Sequence, residues 1–159
     1  MPLYKTPINT NVLFIHIPKV AGTSVEFALE EYYLGFLDRG FSGKYFPCSP
    51  QHFHREILSN LFSDDVSDNS FCVVRHPLAR FVSEYKFRRR FFDLNENFET
   101  WAEETLRKYE TNKFMLDNHI RPQSEFPFNS TKVFKLENGL VDLEKHLRDR
   151  YKLEVSFSS

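Results

Sequence analysis

The chain has 159 residues, of which 41% are hydrophobic and 16% aromatic, enough apolar material for one core and for a single domain over 1–159. Its 21 basic and 22 acidic side chains leave a net charge of −1, which excludes general polyanion binding and makes any electropositive site a local construction. Two cysteines exclude a disulfide framework, the N-terminus lacks a basic flank followed by an apolar signal core, and no apolar run reaches membrane-spanning length; a soluble protein of the cytoplasm or another reducing setting is expected.

The first element is the most informative. Residues 12–17 have the length and β-branched content of a buried strand, and 24–34 place Val25, Ala28, Leu29 and Tyr32 on one helical stripe. The loop between them is therefore expected to rest on a helix N-terminus, where unpaired N–H groups favour an anion. Gly22 lets the backbone come close, Lys19 adds a mobile charge, and Thr23 and Ser24 add hydroxyl donors. The lysine precedes the single glycine, so the triphosphate loop G-x4-G-K-S/T is not met and another phosphate-like ligand is expected.

A Gly-, Pro- and Ser-rich loop follows over 35–50. A helix starting at Ser49 or Pro50 would pack through Phe53, Ile57, Leu58 and Leu61, up to a polar break at 63–69. Residues 70–75 read as a second buried strand, and Pro77 suits the first turn of a helix over 78–87 packed by Leu78, Phe81, Val82 and Tyr85. A helix over 98–109, a long loop over 111–130, a third strand over 131–136 and a helix over 141–151 complete the pattern. Strands alternating with helices predict an α/β domain of three layers with a central parallel sheet covered on both faces.

Arg75 stands at the end of the second strand, on the side where parallel sheets bind ligands, and Ser83 and Arg80 on the next helix share a face with each other, a clamp for a second anion. A magnesium-dependent phosphoryl transferase would place a carboxylate where Arg75 stands, so no metal is expected.

Three segments carry a family likeness. IPKVAGTS at 17–24 is similar to the 5′-phosphosulfate loop, and VRHPLARFVSEY at 74–85 to the 3′-phosphate motif, of sulfotransferases that use 3′-phosphoadenosine-5′-phosphosulfate. NHIRPQ at 118–123 is similar to a segment that recurs in the carbohydrate O-sulfotransferase branch before a strand and the FKLENGL stretch at 134–140. The chain thus resembles that family over roughly residues 11–145, in motif order and in strand-to-helix context.

The resemblance implies a P-loop-like strand, loop and helix related to the nucleotide kinases, the phosphosulfate donor as co-substrate, and a hydroxyl acceptor, a carbohydrate by the branch alone. By the same resemblance Lys19 contacts the 5′-phosphosulfate and is catalytic in steadying the leaving group. Ala21, Gly22, Thr23 and Ser24 form the donor loop, and Arg75 with Ser83 holds the 3′-phosphate. The in-line attack needs a base, and His52 lies where relatives carry a catalytic histidine, with His54 second. By the resemblance, relatives extend further at the C-terminus, so a domain minimal or truncated there is expected.

Other residues have duller readings. His16 and His76 are structural, while His119, Arg121 and Gln123 either contact the acceptor or brace the nucleotide loop. Lys86 and Arg88 to Arg90 are cations at a helix C-terminus, and no nucleic-acid module is present. Two other functional classes use the same cradle: a nucleotide or nucleoside kinase, which needs magnesium and ATP, and a non-catalytic nucleotide-binding module that has lost its acceptor site.

Overall fold

The computed structural model describes residues 1–35, 37 and 45–157. It holds a five-stranded sheet made of β1 (Leu3–Lys5), β2 (Asn11–Ile15), β3 (Tyr33–Gly35), β4 (Ser70–Val74) and β5 (Lys132–Lys135), in the order β3-β1-β2-β4-β5. The helices are α1 (Gly22–Ala28), α2 (Arg55–Leu58), α3 (Asp64–Asp68), α4 (Pro77–Phe91), α5 (Phe98–Thr111) and α6 (Val141–Tyr151), with short 3-10 turns between them.

The expectation of a wholly parallel sheet is corrected. β2, β4 and β5 run parallel, with Phe14 opposite Phe71 and Cys72 opposite Val133, but β1 pairs antiparallel with both β2 and β3. The sheet is mixed, and its parallel half holds the three strands expected from the sequence. The missed strands are three residues long each and have no periodicity to read. β3 also shortens the expected first helix. The helix stops at Ala28, a 3-10 turn spans Glu30–Tyr32, and Tyr33 then pairs with Tyr4, ring centroids 6.3 Å apart. Aromatic cross-strand pairing outweighs the local helical stripe.

The two central strands explain their own composition. Val12, Leu13, Phe14 and Ile15 are all fully buried, as are Phe71, Cys72 and Val73. Successive side chains on a strand point to opposite faces, so both faces of the sheet are covered there, which a continuous apolar run requires. Both cysteines are free and buried. Among the described residues no helix is long and apolar enough to cross a membrane.

The helix expected after Ser49 is instead a 3-10 turn at Pro50–His52 followed by the single turn of α2, and the polar break at 63–69 contains α3. Residues 36 and 38–44 of the loop expected over 35–50 lie outside the described residues. α4 runs past the expected 78–87 to Phe91, α5 begins at Phe98 as expected, and the two pack through Phe81, Tyr85 and Trp101, with Phe81 and Trp101 centroids 4.8 Å apart. α6 has the bounds expected.

Candidate active site

β2 and β4 end side by side, and their carboxyl ends open onto a cavity of about 660 Å³. Pro18, Lys19, Ala21, Gly22 and Thr23 line it after β2, Arg75 after β4, and Ser83 from α4. Gln51, His52, Asp117 and His119 close it from two connecting segments. Seven of the eight residues singled out in the sequence meet here: Lys19, Ala21, Gly22, Thr23, His52, Arg75 and Ser83. Ser24 does not. It is exposed on α1 and outside the cavity lining, because each helical step turns the side chain by about 100° from its neighbour.

The loop after β2 is held in an uncommon conformation. Lys19 and Ala21 both have left-handed backbones, φ 69° and 67°, and the Ala21 carbonyl accepts from the N–H groups of Ser24 and Val25 to start α1 with no side-chain cap. Arg80 fastens the loop from behind. It is buried, and its Nε and Nη1 donate to the carbonyls of Pro18 and Arg121, at 2.9 and 2.8 Å. The clamp expected from Arg80 with Ser83 is therefore split: Ser83 lines the cavity and Arg80 braces the loop.

Arg75 is positioned through its backbone, whose N–H donates to Gln123 Oε1 at 2.9 Å while Gln123 Nε2 donates back to its carbonyl at 2.7 Å. Gln123 and Arg121 thus brace. Arg121 is buried, donating to Asn118 Oδ1, Glu125 Oε2 and the Lys113 carbonyl. Lys19 Nζ sits 3.9 Å from the centre of the Phe87 ring, and burial pulls its ammonium below the ordinary lysine range against the attraction of Glu84.

Three imidazoles reach the cavity, each backed by a carboxylate. His16 Nδ1 lies 2.5 Å from Glu26 Oε1, and Gln51 Nε2 reaches both, at 3.1 and 2.9 Å. Burial pushes the His16 imidazole down to about 4, so this ring is neutral. His52 Nδ1 lies 2.8 Å from Asp117 Oδ2. Ser49 donates to the same carboxylate through its N–H, at 2.5 Å, and its hydroxyl, at 2.6 Å. Burial pushes the Asp117 carboxyl up, but the hydrogen bonds from His52 and Ser49 outweigh it and hold the group well below the usual carboxylate range. His119 Nδ1 lies 2.7 Å from Glu84 Oε2, whose other oxygen accepts from Arg88 Nε at 2.6 Å.

An ionised carboxylate only accepts, so the ring nitrogen facing it carries the proton, and Nε2 is left with the lone pair in His52 and His119. The two rings lie 4.8 Å apart between centroids. One ligand nitrogen from each, with a carboxylate oxygen of Asp117, falls within 4.8 Å of the others, the metal-capable group among the described residues. His54 is elsewhere, buried beside Phe114 and outside the cavity lining.

The model of the sulfotransferase family matches residues 5–154. The chain belongs to the sulfotransferase family. No curated protein and no solved structure matches it. Its general chemistry is thus sulfuryl transfer to an acceptor of the hydroxyl type.

Several residues of this sulfotransferase site were not singled out in the sequence: Asp117, Glu84, Glu26 and Gln51. Asp117 is delivered by a turn in which Leu116, Asp117 and Asn118 all have left-handed backbones, φ 52°, 59° and 64°. The Asp-Asn pair was the available signal, since those two residue types tolerate that region best. Asn118 ties the turn to the His52 segment by donating to the His52 carbonyl at 2.9 Å. Arg88 departs from its dull reading: unlike the exposed Arg89 and Arg90, it is half-buried on the cavity wall.

Proposed function

We propose that this sulfotransferase, as one domain, moves a sulfuryl group from 3′-phosphoadenosine-5′-phosphosulfate to a carbohydrate hydroxyl. One observation carries the reading: the Lys19 loop, the Arg75 and Ser83 pair, and a carboxylate-backed His52 share one cavity. The donor has a phosphosulfate at one end of its ribose and a phosphate at the other, and two anion-binding clusters in a cavity of about 660 Å³ suit that shape. The carbohydrate rests on the branch that 118–123 resembles.

In this mechanism the backbone of Ala21 and Gly22, Thr23 and Lys19 hold the 5′ end of the donor, and Arg75 and Ser83 hold the 3′-phosphate. The acceptor hydroxyl gives its proton to His52 Nε2 as its oxygen bonds to sulfur. The bond from sulfur to the bridging phosphate oxygen breaks in line, and the charge on that oxygen meets Lys19. Asp117 orients the imidazole and stabilises the imidazolium that forms.

Calorimetry of adenosine 3′,5′-bisphosphate against ATP with magnesium tests the donor. Metal-independent binding of the bisphosphate is expected, weakened about tenfold or more by Lys19→Ala and by Arg75→Ala. Preference for ATP with magnesium overturns the reading in favour of a kinase. His52→Ala is expected to keep donor affinity and lose transfer, and a fully active His52→Ala protein removes the base.

A further inference from the structure

Proton transfer in the proposed reaction asks for one imidazole with one carboxylate, which His52 and Asp117 supply. His119 is a second group of the same build, for which that reaction has no task. Its Nδ1 is held 2.7 Å from the fully buried Glu84, and its ring lies 4.8 Å from that of His52 in the same cavity. A carboxylate on the far nitrogen is the arrangement that orients metal-binding imidazoles and raises their basicity.

Glu84 behind His119 is already offset by Arg88, whose Nε lies 2.6 Å from its Oε1. The Asp117 carboxylate beside His52 is the negative charge in the cavity lining that a bound cation would meet.

We propose that His52, His119 and Asp117 form a binding site for a borderline divalent transition ion of the Zn²⁺ class. The ligand atoms lie within 4.8 Å of one another. Bonds of about 2.0–2.2 Å in a tetrahedron put ligand atoms about 3.4 Å apart, so the site closes by side-chain rotations of about 1 Å. The three ligands come from two turns already joined by hydrogen bonds from Ser49 to Asp117 and from Asn118 to the His52 carbonyl, which limits the ordering that binding requires. Two imidazoles and one carboxylate favour Zn²⁺, Cu²⁺, Ni²⁺ and Co²⁺ over Mg²⁺ and Ca²⁺, which take oxygen sets. An ion shared with Asp117 bonds His52 through Nδ1 in place of its proton and breaks the His52–Asp117 pair, so occupancy inhibits transfer; this last consequence rests on the function proposed above, and the site does not.

The test is calorimetric titration of the full chain with Zn²⁺, and with Co²⁺ followed by absorption, in the absence of nucleotide and acceptor. One ion per chain is expected, with the intense visible bands of four- or five-coordinate Co²⁺. His119→Gln, which keeps a donor for Glu84 but removes the imidazole, is expected to weaken Zn²⁺ binding tenfold or more, as is Asp117→Asn. Glu84→Gln is expected to weaken it about tenfold through His119. His76→Gln, at an exposed histidine before α4, is expected to bind as the parent does. Absence of Zn²⁺ uptake at millimolar concentration, a weak six-coordinate Co²⁺ spectrum of the parent chain, or affinity unchanged in both His119→Gln and His52→Gln overturns the proposal. A chain that takes up Zn²⁺ as described but binds no bisphosphate keeps the metal site and loses the sulfuryl donor, so the two failures are distinct.

Discussion

The imidazole of His16 occupies the space in which a side chain at Gly22 would stand. A Cβ at Gly22 would lie 2.5 Å from both Cε1 and Nε2 of that ring. Gly22 has no positive φ, so its requirement is steric, and the ring is fixed by Glu26 and Gln51 and does not swing aside cheaply. Gly22→Ala is expected to destabilise the fold by about 1–3 kcal/mol through overpacking and to weaken bisphosphate binding by displacing the Lys19 loop. Chemical denaturation and calorimetry on the same variant check the two effects.

Arg80 joins the Lys19 loop to the segment that carries His119. Its removal strands two carbonyls, Pro18 and Arg121, each now bonded to a guanidinium. Arg80→Met is expected to cost about 2–4 kcal/mol of stability and to lower donor affinity, although Arg80 is outside the cavity lining. Arg80→Lys is expected to rescue little, since a single ammonium does not reproduce the planar fork that spans both carbonyls. Thermal melts of the two variants side by side measure the difference.

Asp117→Asn separates chemistry from binding. The amide still meets Ser49 and His52 sterically but has no charge to stabilise a protonated imidazole. A fall in kcat of about 10²-fold or more is expected, with the affinity for adenosine 3′,5′-bisphosphate unchanged. Steady-state kinetics against a fixed acceptor, beside calorimetry, read both quantities.

Acid is expected to destabilise the fold in two stages. The His16 imidazole titrates near 4 in the folded chain because burial disfavours its charge, and near 6.5 when unfolded. Between those values the unfolded chain binds a proton that the folded chain does not, so stability is complete above about 6.5 and is lost as pH falls towards 4. Burial lowers His54 and His146 too, which adds to the same slope. Asp117 and Glu84 are held below the ordinary carboxylate range, so a second loss begins under about pH 4. Melting temperature should be flat from pH 8 to 7 and fall by several degrees by pH 5, with a shallower slope in His16→Gln.

Features set by neighbours in the chain were legible from the residues alone. The unbroken apolar runs in β2 and β4 announced strands covered on both faces, and the 3.6-residue spacing in α6 gave its bounds. The meeting of Lys19 and Arg75 in one cavity was legible because they directly follow strands whose parallel pairing brings their ends together. Two parts of the molecule left no such trace. β1 and β3 are strands of only three residues, with β3 at the sheet edge, and Tyr4 against Tyr33 creates no local pattern. The carboxylates behind the imidazoles are remote, Asp117 lying 65 positions from His52 and Glu84 lying 35 from His119. Chain reversals bring each pair together, and desolvation in the folded cavity then favours close pairing; neither acts between neighbours in sequence.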